Sequence, residues 1–152
     1  MLKSDREVTD RSQIDQIIRG SQVCHLGFAV QGEPYVLPMS FGYDGEALYF
    51  HTAREGTKID LISANPRICF ELERDVTLVT SPDDPCGWTF HYESVVGYGT
   101  ISELTSPERK AHALNQIMRQ YSGHDWALTP AHLEPARIWR LSIESVTGKR
   151  SR

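Results

Sequence analysis

The chain has 152 residues, of which 39% are hydrophobic and 24% charged, and its net charge is -4. This length and composition indicate one globular domain over residues 1–152. The acidic balance argues against nucleic acid as a partner, because binding to a phosphate backbone needs a positive excess. No apolar run approaches the ~20 residues that span a bilayer, and the first ten residues are too polar for a signal peptide. We therefore expect a cytoplasmic protein with no nucleic-acid or membrane partner.

The first half of the chain predicts one helix followed by three strands. The helix, residues 9–20, begins at a capping Asp10, and Gly20 stands where a helix closes. Alternating apolar residues then predict strands over residues 22–30, 34–42 and 46–52. Asp44-Gly45 is a strong hairpin signal between the last two. Three consecutive strands joined by tight turns indicate an antiparallel meander.

The second half predicts two more helices and three more strands. The helices cover residues 57–64 and 106–123, and the strands cover 67–73, 88–102 and 136–146, with a basic tail after the last. Within the middle strand, Gly97 and Gly99 indicate a bend or bulge. The strands are clustered and do not alternate with helices, which excludes a doubly wound parallel sheet. The sequence therefore predicts a mainly β (α+β) fold: a six-stranded antiparallel barrel with peripheral helices.

The junction "HTAREGTK", between the third strand and the short helix, is rich in donors and positive charge. Lys58 lies in the first helical turn, where its charge opposes the helix dipole unless an anion binds nearby. Backbone N–H groups at a helix start, with hydroxyls and a lysine beside them, are the groups that hold a phosphate. Thr52, Thr57 and Arg54 could reach the same point. Spacing alone leaves a second interpretation open, a capped loop with solvated charges.

Other candidate sites have weaker patterns. His124 and His132 are separated by a loop that contains a proline, and no carboxylate or cysteine completes a ligand set there, so we predict no metal site. The three cysteines have no metal-like spacing. His51 ends a strand just before the polar junction, and a single histidine in such a place is more often structural than functional.

Three stretches occur together in an order that resembles a known family. They are "PYVLPMSFGYDGEALYFHTAREGTKIDLISANPRICFELE", "YESVVGYGTISEL" and "IESVTGK". This order is similar to that of the FMN-binding split barrels related to pyridoxamine 5′-phosphate oxidase. Within them, the chain looks most like the branch named for nitroimidazole resistance, the Nim-type flavoproteins. The resemblance runs over nearly the whole chain.

The resemblance implies a homodimer with FMN at each of two interface clefts. The residues at matching positions form the expected cofactor-binding set: Pro38, Met39, Ser40, His51, Thr52, Ala53, Thr57, Lys58, Ser94 and Trp139. Of these, Thr52, Thr57 and Lys58 fall on phosphate-contacting positions, and "LPMS" falls on the strand along the isoalloxazine edge. Ser94 and Trp139 would come from the partner chain. His51 would lie beside the flavin and is the one candidate catalytic residue, as a hydrogen-bond partner or proton donor.

The implied activity is that of a reductase. Reduced flavin would pass electrons to a small acceptor, for which a nitroaromatic compound is a candidate, with a nicotinamide nucleotide as a possible donor. The chain lacks the arginine-rich strand and the C-terminal segment with which the oxidase grips pyridoxamine phosphate, which argues against vitamin B6 oxidation. Two alternatives stay open at this point: a non-catalytic flavin- or haem-binding module used for carriage or sensing, and a reductase that uses a deazaflavin.

Overall fold

The computed structural model describes residues 6–152, which form four α-helices, a short 3₁₀ helix (Pro85–Gly87) and eight strands. The helices are α1 (Arg11–Gly20), α2 (Thr57–Ala64), α3 (Pro107–Ser122) and α4 (Pro130–Leu133). The strands are β1 (Glu7–Val8), β2 (Cys24–Val30), β3 (Glu33–Met39), β4 (Gly42–Tyr43), β5 (Ala47–Thr52), β6 (Arg67–Val79), β7 (Thr89–Leu104) and β8 (Arg137–Ser151). The prediction of a mainly β (α+β) fold with antiparallel strands is confirmed.

The strands form one antiparallel sheet in the order β3-β2-β6-β7-β8-β5-β4, and β1 pairs with β8. β3 and β5 lie toward opposite ends of this strand order, yet side chains of both strands point into the same interior. Leu37 and Met39 of β3 and Phe50 and Thr52 of β5 line one internal space of only about 10 Å³. The sheet therefore curls around a filled core, but in the described chain no ladder joins β3 to β5. This is the open, split form of a barrel.

The predicted three-stranded meander is wrong in its third strand. β2 and β3 form the expected hairpin, but β5 pairs with β8 and β4 instead of β3. Pro34 and Pro38 explain why β3 has a partner on one side only. Proline lacks the N–H group that a ladder needs, so strands that contain it are confined to sheet edges.

The number of strands and the structure of the C-terminal tail both differ from the predicted six-stranded fold. β1 and β4 have two residues each, too few to show a periodic pattern. The basic tail extends β8 to Ser151. Arg150 of this tail donates from Nε to the buried Glu93 of β7 at 2.8 Å, and Arg74 of β6 donates to the other carboxylate oxygen at 3.2 Å. A buried carboxylate requires such partners, so the tail is held in the sheet.

The two glycines of β7 mark the predicted irregularity, which is confirmed. The register between β7 and β8 shifts between Tyr98 and Gly99. A Cβ atom at Gly97 would lie 2.3 Å from Cζ of Phe70, and one at Gly99 would lie 2.1 Å from the carbonyl oxygen of Ser142. Neighbouring groups therefore approach the backbone here more closely than any side chain would permit.

The ends of the longer helices follow the sequence signals. The Asp10 side chain accepts from the N–H of Ser12 at 3.1 Å, and the Ser106 hydroxyl accepts from that of Arg109 at 3.3 Å. Gly123 ends α3 in the left-handed conformation, with φ of 82°. No helix within residues 6–152 is long and apolar enough to cross a membrane.

Candidate functional site

A cleft of about 440 Å³ opens between the edge strand β3 and the start of α2. It is lined by Tyr35, Leu37, Pro38, Thr52, Ala53, Glu55, Gly56, Thr57, Lys58 and Ile59. Apolar side chains line the β3 side, and hydroxyls, a lysine and backbone groups line the α2 side. Its size falls within the ~300–1,000 Å³ of small-molecule and cofactor sites.

The start of α2 leaves backbone donors open to this cleft. Gly56 is the N-cap residue, and no side chain of the part of the chain that the structure describes caps the helix. Its φ of 132° lies in a region that side chains rarely adopt, so a glycine is required there. The N–H of Ile59 donates to the carbonyl of Gly56 at 3.1 Å, which leaves those of Thr57 and Lys58, and such N–H groups together with the helix dipole attract an anion. The start of α2, with Thr57 as its first residue, thus has the backbone arrangement that suits an anion.

Lys58 adds the positive charge at this point. Its side chain is exposed and lines the cleft, and no carboxylate of residues 6–152 lies within ion-pair distance of its ammonium group. The negative charge of Asp60, in the same turn, interacts favourably with the helix dipole. Glu55 places one negative charge in the cleft wall. A phosphate bound here would therefore contact one lysine and the free N–H groups, and one carboxylate would lie nearby.

A buried hydrogen-bond chain forms the floor of the cleft. Trp139 of β8 donates from Nε1 to the hydroxyl oxygen of Thr52 at 2.9 Å, and Thr52 donates to the carbonyl of Ala53 at 2.9 Å. Thr52 is only 6% exposed and Trp139 only 4%. These bonds fix the last residue of β5 and the turn that leads into α2. One further hydrogen bond holds this turn: the Arg137 guanidinium donates to the carbonyl of Arg54 at 3.1 Å.

The family model described as pyridoxamine 5′-phosphate oxidase matches residues 10–150 of the chain. The chain belongs to this family. The match includes every strand that lines the cleft, the helix α2 and the long β6–β7 hairpin. A search of the curated proteins found no match.

Solved structures agree with this membership of the pyridoxamine 5′-phosphate oxidase family. A protein from Bacteroides thetaiotaomicron, provisionally named a 5-nitroimidazole antibiotic resistance protein, is 30% identical, with a TM-score of 0.82 over 95% of this chain and 86% of that chain. A FAD- and haem-binding protein from Mycobacterium smegmatis is 16% identical, with a TM-score of 0.80 over 97% and 74%. A FAD-binding protein from Mesorhizobium loti is 22% identical, with a TM-score of 0.69 over 97% and 98%. The last two are similar in fold alone.

Half of the residues that the family resemblance implies line this one cleft: Pro38, Thr52, Ala53, Thr57 and Lys58. Met39 lies beneath it, buried in the barrel interior beside Trp139. Ser40 follows β3 and is exposed, outside the cleft lining. The structure therefore brings together the residues expected to contact a phosphate and one residue of the expected ring-binding strand.

His51 lies apart from this group. Phe50 and Thr52 on either side of it are buried in the interior, whereas His51 is exposed. Successive side chains of a strand point to opposite faces, so His51 faces away from the cleft of its own protomer. Its contact with a flavin or acceptor stays a prediction, and the fold of one chain does not bring it to the cleft.

Three other residues from the sequence analysis also lie elsewhere. Ser94 lies on the outer face of β7, opposite Glu73 of β6. Trp139 is buried inside its own protomer, and it reaches the cleft through its hydrogen bond to Thr52. Arg54 turns away from the cleft and donates to the carbonyl of Glu134.

The sequence analysis placed the strand with "LPMS" beside the flavin but did not single out the apolar side chains of the cleft wall. Tyr35 and Leu37 of β3 and Ile59 of α2 line it. In the sequence these residues look like ordinary members of a strand face and a helix stripe. The two prolines of β3 were the available signal, because prolines indicate an edge strand. An edge strand leaves one flank open for a ligand.

A second polar cluster, also missed, lies on the outer face of the sheet. His25 of β2 pairs in register with Glu71 of β6, and Nδ1 of His25 lies 3.1 Å from Oε1 of Glu71 and 3.9 Å from Oε2 of Glu73. Burial, followed by the neighbouring Glu73 carboxylate, raises the pKa of Glu71 to about 8. These residues are 46 and 48 positions apart in sequence, so only the strand register reveals the cluster.

The hydrogen bond between Trp139 and Thr52 gives the first testable prediction. Trp139→Phe removes the donor and leaves the buried hydroxyl oxygen without it, so we expect the free energy of unfolding to fall by about 1–3 kcal/mol. Thr52→Val is the matched change at the other end, because it keeps the shape and removes the acceptor. Urea denaturation of both variants and of the double variant measures the coupling. Strictly additive losses would show that the bond contributes nothing to stability.

Proposed function

We propose that this protein binds FMN in the cleft between β3 and α2 and acts as a flavin-dependent reductase of a small acceptor. The observation that carries the proposal is the uncapped start of α2, with Gly56 at its N-cap and Lys58 free of carboxylate partners within the described chain. Membership of the pyridoxamine 5′-phosphate oxidase family supports flavin binding at such a site.

The α2 side of the cleft would hold the phosphate. The open N–H groups and the Thr57 hydroxyl would donate to phosphate oxygens, and Lys58 would add one charge-assisted hydrogen bond. Such a bond to a charged group contributes about 1.5–3 kcal/mol. A bound phosphate would also remove the unfavourable interaction between Lys58 and the dipole of α2.

The β3 side would hold the ring. Tyr35, Leu37 and Pro38 give this wall an apolar surface, which suits a flat aromatic group. β3 is an edge strand, so its outer backbone groups are available to the ring edge wherever no proline interrupts them. The distance along the cleft from this wall to the start of α2 would be bridged by the ribityl chain of FMN.

When bound, FMN would supply the electron-transfer chemistry, and the chain's own residues would bind and orient it. The hydrogen bonds among Trp139, Thr52 and Ala53 would keep the turn before α2 in one conformation. The apolar wall would exclude water from one ring face. A small acceptor fits the proposal because the protein with 30% identity carries a 5-nitroimidazole resistance name, which makes a nitroaromatic compound the first acceptor to test.

We also propose that the protein is a homodimer. Phe90, Val96 and Tyr98 occupy alternate positions on the outer face of β7 and are 50%, 40% and 45% exposed, and Leu78 pairs in register with Phe90. An exposed apolar face of this kind is typical of a protein interface. Ser94 shares the face, so dimerisation would be the way for it to approach the partner's flavin.

The first experiment compares FMN with riboflavin, which lacks the phosphate. We expect Lys58→Ala to weaken FMN binding roughly tenfold or more and to leave riboflavin binding unchanged. Lys110→Ala, an equal charge change on α3, should bind FMN like the wild type. Flavin fluorescence titrations of cofactor-free protein give the dissociation constants. Equal FMN affinity in wild type and Lys58→Ala would place the phosphate elsewhere.

The second experiment tests the apolar face. Sedimentation velocity should show a dimer for the wild type and a monomer for Phe90→Glu, because a buried unpaired charge opposes association. Trp126→Glu is the control, since Trp126 is equally exposed (49%) but follows α3. A wild-type monomer that binds flavin tightly would remove Ser94 from the site.

The third experiment separates a reductase from a carriage or sensing module. The flavin-loaded protein should oxidise a reduced nicotinamide nucleotide in the presence of a 5-nitroimidazole faster than the same concentration of free FMN does. The mass and visible spectrum of the co-purified cofactor are recorded first, because FAD, a deazaflavin or haem would each be distinguished there. A rate equal to that of free FMN would favour the non-catalytic module.

A further inference from the structure

The cluster of His25, Glu71 and Glu73 has the composition of a metal site. One imidazole nitrogen and two carboxylate oxygens all lie within 4.8 Å of one another. Zinc sites use cysteine sulfur, histidine nitrogen and carboxylate oxygen, and the cluster contains the last two of these ligand types. Borderline divalent metals accept both. The cluster lies on the outer face of the sheet, away from the interior of the barrel.

The spacing of the donor atoms fits a tetrahedral ion. Bonds of about 2.0–2.2 Å from nitrogen and oxygen to zinc place neighbouring ligand atoms about 3.3–3.6 Å apart. Nδ1 of His25 lies 3.1 Å from the Glu71 oxygen and 3.9 Å from the Glu73 oxygen, values that bracket this range. Small rotations of the two glutamate side chains would bring all three donors to one ion.

The two carboxylates of the cluster, Glu71 and Glu73, have no lysine or arginine partner in the described chain. Arg74, the next residue along β6, contacts Asp75 and the buried Glu93 instead. Each side chain of the cluster is about one third exposed, so water screens the two carboxylates only in part. A bound cation would pair with both carboxylates.

The strands hold the three donors in place. His25 pairs in register with Pro38 on one side and with Glu71 on the other, so β2 is fixed by two neighbours. Glu71 and Glu73 are two positions apart on β6 and project from the same face. Ligands on a paired sheet need little ordering when a metal binds, which favours affinity.

We propose that His25, Glu71 and Glu73 bind one divalent transition-metal ion, with Zn²⁺ as the ion that suits the donor set best. The chain supplies three ligands, so a tetrahedral ion keeps one position for water or another donor. The ion links β2 to β6 on the outer face of the sheet. None of the three side chains lines the cleft, but Glu71 and Glu73 pair in register with Val96 and Ser94 of the proposed dimer face, so the ion would lie beside that interface.

The test is a zinc titration of the purified protein in its native assembly, after chelator treatment and dialysis. A chromophoric chelator competes for the ion, and thermal denaturation is followed in parallel. We expect one Zn²⁺ per chain and a higher melting temperature with zinc, since an ion that binds only the folded state stabilises it. Glu71→Gln and Glu73→Gln keep the side-chain size and should each lower zinc affinity at least tenfold, as should His25→Ala.

His91→Ala is the matched control, because it removes a histidine of the same sheet outside the cluster, and it should bind zinc like the wild type. The two glutamine variants carry the test even if His25→Ala folds poorly. A wild type that binds no stoichiometric zinc would overturn the proposal. Glutamine variants with wild-type affinity would overturn it as well, because the ion would then be bound elsewhere.

Discussion

The proposed site depends on a helix that starts without a side-chain cap beside an open sheet edge. Among residues 6–152, no side chain satisfies the N–H groups at the Gly56 end of α2, and β3 leaves one flank of the sheet without a partner strand. Unsatisfied donors at a helix start are costly when they are removed from water, and an anion compensates them best. The cleft between these two features is therefore the place where we propose that the cofactor binds.

Two local arrangements maintain this opening. Pro34 and Pro38 keep β3 at the edge, because a strand with missing N–H groups is a poor partner for a further strand. The hydrogen bond from Trp139 to Thr52 anchors the end of β5, so the turn that leads to α2 stays at a fixed place across the gap. The apolar outer face of β7 is a separate feature, an exposed surface of the kind that protein interfaces bury.

The sequence predicted local features well and long-range pairing poorly. Helix ends at Asp10, Ser106 and Gly123 and the irregularity at the glycines of β7 depend on neighbouring residues, and the structure contains them. The partner of β5 could not be predicted from alternation, which is identical for a meander and for a strand that joins β8 across the barrel. The cluster of His25 with two glutamates was invisible for the same reason, because it exists only through the register of β2 with β6.

The most direct test of the central claim is a crystal structure of the protein with FMN. The account predicts a phosphate within hydrogen-bonding distance, about 3 Å, of the first N–H groups of α2 and of the Lys58 ammonium, with the ring against Tyr35 and Pro38. The described chain offers another basic surface, where Arg6, Arg150 and Arg152 surround a second cavity. A phosphate bound by those arginines, with the start of α2 in contact with water alone, would contradict the account.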